Sequence, residues 1–475
     1  MRGELRVTRT MALVIATLVL AFAGDLFRYT VGWTGYLALS VVFVGLLMVA
    51  LYRRHSRVRI WHLPATLVLF IGWCGLSMLW SRYPLETLMG WAAQVITALA
   101  GLGIAVSLTR LQFLHALGLA MRGLVLGSLV FEAFVAIWHP HGLIPPAYLR
   151  PGVLETLLGE PASNTASSIP ANFYWSYGHL FSGGDIQGLP GNRNLLAMVA
   201  LIALVITAAE LWDRQLHWSR AWLSLAASLF VLVRTQSATV IVALAFVGLA
   251  AALVLAGRHL NRRHRWIMYA VVGTVLVVGA VLVVAFNDAV FAGMNRSSDM
   301  SGRGDIWRAV IRLGAESPVE GIGWISYWAP WLPVFQDLAV VDGTSYYQAH
   351  NSFIDVWLQT GAVGVILFAG VVFTALVRTW WIAIDRPDTP LVESARASGH
   401  AHLAGLTAVP FLVLVGLTVQ SMTESRLIVE GGWLMLTYCA IYAKLRVQDP
   451  WLLPRRTVPS RTGPITVVVD PVRDV

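Results

Sequence analysis

Residues 237–256 read SATVIVALAFVGLAAALVLA, a run without any charged side chain that lies between Arg234 and Arg258. A transmembrane helix needs about 20 mostly apolar residues, because its backbone hydrogen bonds must be made within the helix where no water is present. The run therefore predicts a membrane-spanning helix. The preceding apolar run, residues 218–233, predicts a second one, and the pair forms a tight hairpin with Arg234 and Gln236 at its tip.

The whole chain has the composition of a membrane protein. Of its 475 residues, 57% are hydrophobic and 12% are charged, whereas a soluble domain carries about 25% charged residues. This excludes a water-soluble enzyme. A net charge of +9 would suggest nucleic acid in a soluble protein, but here most arginines lie between apolar runs, where they orient the chain in the bilayer. We expect membrane lipids and no nucleic acid as partners.

Twelve spans are predicted along the chain. The first follows three arginines and imitates a signal peptide, but Asp25 and Arg28 come directly after it in place of a cleavage site, so we interpret it as a retained span. The predicted spans cover residues 10–24, 31–51, 63–80, 88–108, 113–138, 194–212, 218–233, 237–256, 266–286, 353–377, 401–420 and 431–445.

We call residues 139–193 the first outer segment and residues 287–352 the second outer segment. The predicted division is residues 1–138 with spans 1–5, the first outer segment, residues 194–286 with spans 6–9, the second outer segment, residues 353–445 with spans 10–12, and a tail, 446–475.

Positive charges orient these spans, because loops on the cytoplasmic side are enriched in arginine and lysine. One set of alternate loops, together with both termini, holds most of the arginines. The short loops of the other set hold only Arg28, Arg82, Arg234 and Arg426. We therefore expect both termini and the tail in the cytoplasm, and both outer segments on the opposite face.

The outer segments are long and rich in aromatic residues, which is typical of ordered, functional loops. One interpretation is an interfacial belt of tryptophan and tyrosine; another is a platform on which sugar rings pack, and both can hold together. The second outer segment also predicts an amphipathic helix capped by Asp305, with Arg308 and Arg312 facing lipid phosphate. The aromatic residues are Trp138, directly before the first outer segment, with Tyr148, Phe173, Tyr174, Trp175, Tyr177 and Phe181 inside it, and Trp307, Trp324, Tyr327, Trp328, Trp331, Phe335, Tyr346 and Tyr347 in the second.

Candidate site residues stand where the outer segments meet the spans. Arg303 lies between glycines before the amphipathic helix, Arg193 precedes the sixth span, and Arg234 is at the hairpin tip. Guanidinium groups pair with phosphate oxygens in a forked geometry, so these three arginines are candidates to bind a lipid-linked diphosphate, although pairing with lipid headgroups is the ordinary alternative. His350 precedes a span that Ser352 and Asp355 are predicted to cap.

An imidazole at that position is suited to exchange protons with a substrate near neutral pH; a hydrogen-bonded loop histidine is the other interpretation. Asn194, Gln236 and Asn351 flank these charges and are candidate supporting residues. No outward Asp-x-Asp pair is present to hold a divalent ion, and His139 and His141 have no evident third ligand. We expect neither metal nor cofactor.

Four motifs occur in a fixed order: GNRNLLA (191–197) entering a span, TQS (235–237) at the hairpin, SGRxxxW (301–307), and HNSF (350–353) entering the next span. Together, over roughly residues 190–370, they resemble the O-antigen ligase and polymerase superfamily of bacterial inner-membrane glycosyltransferases. The resemblance implies an all-α polytopic membrane protein of GT-C-like fold, acting at the periplasmic face. In the ligase branch, O-antigen polysaccharide is moved from undecaprenyl diphosphate to lipid A-core without metal or nucleotide.

The resemblance also implies roles for individual residues. The essential histidine of the family falls on His350, and the arginine of its Ser-Gly-Arg motif on Arg303. Members of the family often carry arginine directly after the hairpin serine, where this chain has Ala238, so Arg234 or Arg193 would supply that charge. We predict that these arginines bind the diphosphate while His350 accepts the proton of the acceptor hydroxyl, with inversion at the anomeric carbon.

Two alternatives stay open. A polymerase of the same superfamily would use a second lipid-linked glycan as acceptor. A transporter or flippase would bind its substrate near the membrane midplane; the few ionisable residues within the spans, of which Arg122 and Glu132 are the clearest, favour surface chemistry instead.

Overall fold

The computed structural model describes residues 7–53, 58–153, 169–170, 173–285, 303–336, 338–341, 344–385 and 404–448. Ser301, Gly302 and most of the predicted tail lie outside these ranges. The described helices are α1 (Arg9–Phe22), α2 (Gly24–Arg53), α3 (Ala65–Leu76), α4 (Pro84–Ser107), α5 (Arg110–Trp138), α6 (Arg193–Trp212), α7 (Trp218–Arg234), α8 (Ala238–His259), α9 (Arg262–Ala285), α10 (Arg303–Gly314), α11 (Pro333–Gln336), α12 (Ser352–Asp385), α13 (Ala404–Gln420) and α14 (Glu430–Gln448), with 3₁₀ turns at Ile60–His62, Ser77–Leu79 and Ser425–Ile428.

The chain is an all-α polytopic membrane protein. Each of the twelve predicted spans overlaps one of these helices. Among the described residues, α2, α4, α5, α6, α8 and α12 are long and apolar enough to cross a membrane, and α1, α3 and α13 are apolar but shorter. Two short strands of the second outer segment, Val340–Val341 and Thr344–Ser345, pair in an antiparallel arrangement.

Helix α6 is the centre of the bundle. Most of its apolar stretch is buried, and it packs against α5, α7 and α13. Helix α13 in turn packs against α8 and α12, while α14 packs against α4 and α12. The N-terminus of α6 lies beside the hairpin between α7 and α8, where Asn194 is hydrogen-bonded to Ser237.

Two helix starts differ from the predictions. Helix α12 is capped by Asn351, whose side-chain oxygen accepts from the backbone N–H groups of Phe353 and Ile354 at 2.9 and 3.2 Å. The predicted cap by Ser352 and Asp355 is therefore wrong, because the preceding residue reaches the free amides first. Arg303 is already part of the described helix α10 and does not lie before it; Asp305 is also inside the helix, paired with Arg308.

Helix α12 is interrupted at Gly361. Its φ of 64° and ψ of −167° define a backbone conformation that glycine adopts readily and other residues do not. The second outer segment fills the break. Ala362 donates to the carbonyl of Pro318 at 2.9 Å, and Ile322 donates to the carbonyl of Leu358 at 3.1 Å. These bonds satisfy backbone groups that the interrupted helix would leave free, and they fix the second outer segment on α12.

Several of the outer aromatic residues are structural. Trp175, Trp324 and Trp328 are 4%, 0% and 2% exposed. Trp328 donates to the carboxylate of Asp355 at 2.8 Å, and Trp175 to the carbonyl of Gly188 at 3.1 Å. The sugar-platform interpretation is wrong for these three rings, because they are buried inside the protein and no sugar can pack on them.

The first outer segment is attached to α5 through Glu132. This buried carboxylate accepts from the hydroxyl of Ser176 at 2.8 Å and from the backbone N–H groups of Gln187 and Gly188 at 3.0 and 2.6 Å. A carboxylate within an apolar helix is costly unless it is satisfied in this way. Glu132 therefore holds the end of the first outer segment above α6.

Candidate functional site

Five segments of the chain meet at the end of the bundle where the N-termini of α6, α8, α10 and α12 lie. They are the start of α6, the hairpin tip, the first turn of α10, the turn before α12 and the loop after α13. We call the side chains that meet there the Glu424 cluster. Its members are Asn194, Arg303, Gln348, His350 and Glu424.

Glu424 is the centre of this cluster. Its Oε1 accepts from Nη2 of Arg303 at 2.9 Å and from the amide nitrogen of Asn194 at 2.8 Å. Its Oε2 lies 3.2 Å from Nδ1 of His350 and 3.4 Å from the amide nitrogen of Gln348. The arginine and the histidine that the motifs predict are thus joined through one carboxylate that the motifs do not contain.

The charge state of Glu424 follows from these neighbours. Burial alone would raise its pKa, but His350, Arg303 and Arg426 stabilise the anion and lower the pKa of Glu424 to about 2. The carboxylate is ionised at neutral pH and only accepts hydrogen bonds. Nδ1 of His350 must therefore carry a proton toward Glu424, and in the neutral imidazole Nε2 then holds the free lone pair.

The backbone next to His350 is held in place by hydrogen bonds of Ala349. His350 has a φ of 51°, a conformation that non-glycine residues seldom adopt. The carbonyl of Ala349 accepts from Nε1 of Trp307 at 3.0 Å, and the backbone N–H of Ala349 donates to the carboxylate of Asp355 at 3.1 Å. The tryptophan of the SGRxxxW motif thus has an identifiable task, which is to hold the turn that presents the imidazole.

Arg303 is nearly buried, with 7% of the residue exposed. Nη2 of its guanidinium is bonded to Glu424, while Nη1 finds no hydrogen-bond partner among the residues that the structure describes. A buried guanidinium N–H without a partner is costly. An anionic ligand placed beside Nη1 would satisfy it.

The hairpin tip joins the cluster through Asn194. The hydroxyl of Ser237 donates to the amide oxygen of Asn194 at 2.7 Å, and the amide nitrogen of Asn194 goes to Glu424. Ser237 also caps α8, where its hydroxyl accepts from Val240. The TQS motif is therefore tied to the GNRN motif by one hydrogen bond.

The other predicted cationic and polar residues lie along residues 179–185 of the first outer segment. Arg193 is 3.8 Å from Asp185, Arg234 donates to the carbonyls of His179 and Leu180 at 2.7 and 3.0 Å, and Gln236 donates to the carbonyl of Gly183 at 3.0 Å. Arg193 is the chain neighbour of Asn194, which places it beside the Glu424 cluster. Part of the Arg234 guanidinium is engaged by backbone carbonyls.

Asn351 is bonded away from the reactive groups. Its side-chain nitrogen donates to the carbonyl of Met422 at 3.0 Å, while its oxygen caps α12. It fastens the loop after α13, which carries Glu424, to the turn that carries His350.

A second buried ionic network adjoins the cluster. Arg28 pairs with Asp25 and Glu430, and Arg426 contacts Glu430 and the hydroxyl of Tyr327. Burial would lower the pKa of Arg426, but Tyr327, Glu430 and Asp25 raise it above the ordinary value. Through Glu430, the ionic network of Arg28 and Arg426 thus links α2 to α14.

Glu424 is the principal residue that sequence reasoning missed. The available signal was the stretch Thr423-Glu424-Ser425-Arg426, a charged turn between two apolar runs on the predicted outer side. An arginine count ignores a carboxylate, and nothing in the local pattern relates residue 424 to residue 350. Only the fold brings them together.

Comparisons with known proteins match the central part of the chain. Residues 223–369 match the family model described as O-antigen ligase. A stretch of 152 residues is 28% identical to the exopolysaccharide production protein ExoQ of Rhizobium meliloti (strain 1021) and covers 31% of this chain and 35% of that protein. The family match contains Arg303 and His350, whereas Asn194 and Glu424 lie outside it.

Proposed function

We propose that this chain is a membrane glycosyltransferase of the O-antigen ligase and polymerase superfamily and, within it, an O-antigen ligase; the match over residues 223–369 and the likeness to ExoQ support the superfamily. The donor would be O-antigen polysaccharide on undecaprenyl diphosphate, and the acceptor lipid A-core. The reaction would take place at the periplasmic face of the bacterial inner membrane during lipopolysaccharide biosynthesis. The observation that carries this proposal is the bridging of Arg303 and His350 by Glu424.

Arg303 and Arg193 bind the diphosphate in this proposal, helped by Arg234. Nη1 of Arg303 has no partner within the described part of the chain, which supports its assignment, because guanidinium N–H groups and phosphate oxygens form strong charge-assisted bonds. A diphosphate whose charge is neutralised by these bonds is a stable leaving group. Arginine therefore supplies the charge stabilisation that a divalent ion provides in other transferases.

His350 acts as the general base. Its Nδ1–H is directed to Glu424, so Nε2 takes the proton of the acceptor hydroxyl while the hydroxyl oxygen attacks the anomeric carbon. The bond from that carbon to the diphosphate oxygen breaks, and the electron pair leaves with the diphosphate. A single displacement of this kind inverts the configuration at the anomeric carbon. Glu424 stabilises the imidazolium as it forms, as a carboxylate does in a catalytic triad.

The decisive variant is His350→Ala. A general base contributes about 10²–10⁴-fold to a rate, so transfer should fall by that factor or more. The assay is the formation of lipid A-core carrying the polymer, in proteoliposomes supplied with purified lipid-linked glycan and lipid A-core. His141→Ala, a change of an exposed histidine in the first outer segment, is the matched control and should keep full activity. Full transfer by the His350→Ala protein would exclude the imidazole from the chemistry.

A polymerase is the second candidate, favoured by the likeness to a protein named for exopolysaccharide production. The two activities differ only in the acceptor. Proteoliposomes given lipid-linked glycan alone would lengthen it if the chain is a polymerase, and would leave it unchanged if it is a ligase. Movement of glycan across the bilayer without a covalent product would mark a transporter and refute both.

A further inference from the structure

We propose that Tyr346 is the platform on which the acceptor sugar lies, and that Asp185 and Tyr177 of the first outer segment face it across the site. This inference rests on the proposed function, because it concerns the acceptor of that reaction. It states from which side of the His350 ring the acceptor sugar approaches, and it names the residues that would select that sugar.

The position of Tyr346 follows from the geometry of His350. The two rings pack edge to face, with centroids 5.2 Å apart and an interplanar angle of 67°. The Nδ1 edge of the imidazole is closed by Glu424, so an acceptor hydroxyl must approach Nε2. That hydroxyl must come within about 3 Å of the nitrogen, which places the sugar ring that carries it beside the neighbouring aromatic ring.

Tyr346 is held rigidly enough to serve as such a surface. Its backbone N–H donates to the carbonyl of Ala339 at 2.7 Å, and its side chain packs on a hydrophobic cluster that includes Trp328 and Phe335. The ring is only partly buried, unlike Trp324 and Trp328. It therefore keeps an accessible part next to the base, where an apolar sugar face can pack on it.

The first outer segment reaches the site at Arg193, the chain neighbour of Asn194. Asp185 lies 3.8 Å from Arg193 and accepts from the side chain of Gln187 at 3.3 Å, and Gln187 in turn accepts from the backbone of Tyr177 at 3.4 Å. The Asp185 side chain is 23% exposed. A carboxylate with free acceptor capacity suits the hydroxyl groups of a sugar.

Electrostatic effects on Tyr177 agree with this closeness. Burial raises the pKa of Tyr177, Asp185 raises it further, Arg193 lowers it, and Tyr346 contributes a further increase. An aromatic ring beside the imidazole, together with the carboxylate of Asp185 and the guanidinium of Arg193, is the chemistry that recognises a pyranose next to a diphosphate.

The test compares three substitutions at one position. Tyr346→Ala should raise KM for lipid A-core about tenfold, the factor expected for losing one aromatic packing interaction, and should leave KM for the lipid-linked donor within twofold. Tyr346→Phe should keep the acceptor KM, because the ring is retained. Tyr346→Leu, which fills space without a ring, should behave like Tyr346→Ala. Tyr52→Ala, at a highly exposed tyrosine of α2, is the control for a general loss of tyrosine.

Each outcome decides the matter. An unchanged acceptor KM in both Tyr346→Ala and Tyr346→Leu, or a fall in kcat alone, would overturn the inference, because the ring would then only support the imidazole. If the alanine variant does not fold, the comparison of Tyr346→Leu with Tyr346→Phe decides in its place. Wild-type protein that fails to transfer glycan to lipid A-core would refute the proposed ligase instead, so the two failures are distinguishable.

Discussion

At the scale of single residues, Glu424 determines how the motif residues work together. Four side-chain donors from three other segments converge on its two oxygens. The motifs predict His350 and Arg303 as separate points along the chain, and their chemistry could be assigned from residue type. Their mutual orientation could not, because it depends on a carboxylate more than seventy residues downstream.

Glu424→Gln tests this role, since an amide keeps the shape but removes the charge. We expect kcat for glycan transfer to fall by about 10²-fold, because the imidazolium formed in the reaction loses its counter-ion. Glu316→Gln, which removes the exposed pairing with Arg82, should leave kcat unchanged. A Glu424→Gln enzyme with wild-type kcat would show that the carboxylate only packs the site.

The same variant has a pH signature in its stability. The pKa of Glu424 in the fold is about 2, below the ordinary value of 4.5, so the carboxylate stabilises the fold above pH 4.5 and this contribution is lost as the pH falls toward 2. The melting temperature of wild type should exceed that of Glu424→Gln at pH 7, and the gap should narrow at pH 3. Tryptophan fluorescence in detergent can follow both proteins.

At the scale of elements, apolar run length was sufficient to place the helices and insufficient to describe their interruptions. The predicted twelfth span, residues 431–445, coincides with α14, although the helix contains Glu430 and Lys444. In α12, by contrast, Gly361 lies inside the predicted span 353–377 and resembles any helical glycine. Its role becomes visible only when residues 317–323 are seen to bond to the exposed backbone, a tertiary contact that no local pattern encodes.

Gly361→Ala should prevent this docking. A Cβ at position 361 would overlap the carbonyl oxygen of Val319, and the backbone conformation alone costs a non-glycine residue about 1–3 kcal/mol. We expect a lower melting temperature and reduced glycan transfer, because the second outer segment carries Arg303 and His350. Gly248→Ala in α8 has open space around the added methyl and should match wild type in both measurements. Equal melting temperatures for the two variants would contradict the docking role.

At the scale of the whole molecule, the count of arginine and lysine in alternate loops and the hydrogen bonds of these residues agree on which cations lie at the same end of the bundle. Lys444 donates to the carbonyl of Trp61, and Arg258 reaches the carbonyl of Ala383 and the hydroxyl of Thr407; the count assigns both cations to the cytoplasmic side. Arg28 and Arg426 meet at the other end. The sign of each charge was sufficient to predict the end at which it lies. Its hydrogen-bond partners could not be predicted, because they depend on how distant helices pack.

Labelling of single cysteines tests the orientation directly. Native Cys74 and Cys439 are buried and should stay unreactive. Ser182→Cys in the first outer segment should react with a membrane-impermeant maleimide in spheroplasts, and Ser219→Cys at the start of α7 should react only after lysis; both positions are exposed. The reverse pattern would place the Glu424 cluster at the cytoplasmic face and refute the proposed periplasmic reaction.

The position of Glu424 and Asn194 on either side of the family-matched residues has a consequence for protein engineering. A fragment trimmed to residues 223–369 would keep both motif side chains and lose the two groups that orient them. Chimeras that exchange only this central block between relatives would combine a base from one parent with the counter-ion of another. Swaps intended to change acceptor choice should therefore carry residues 192–194 and 420–430 along with the block.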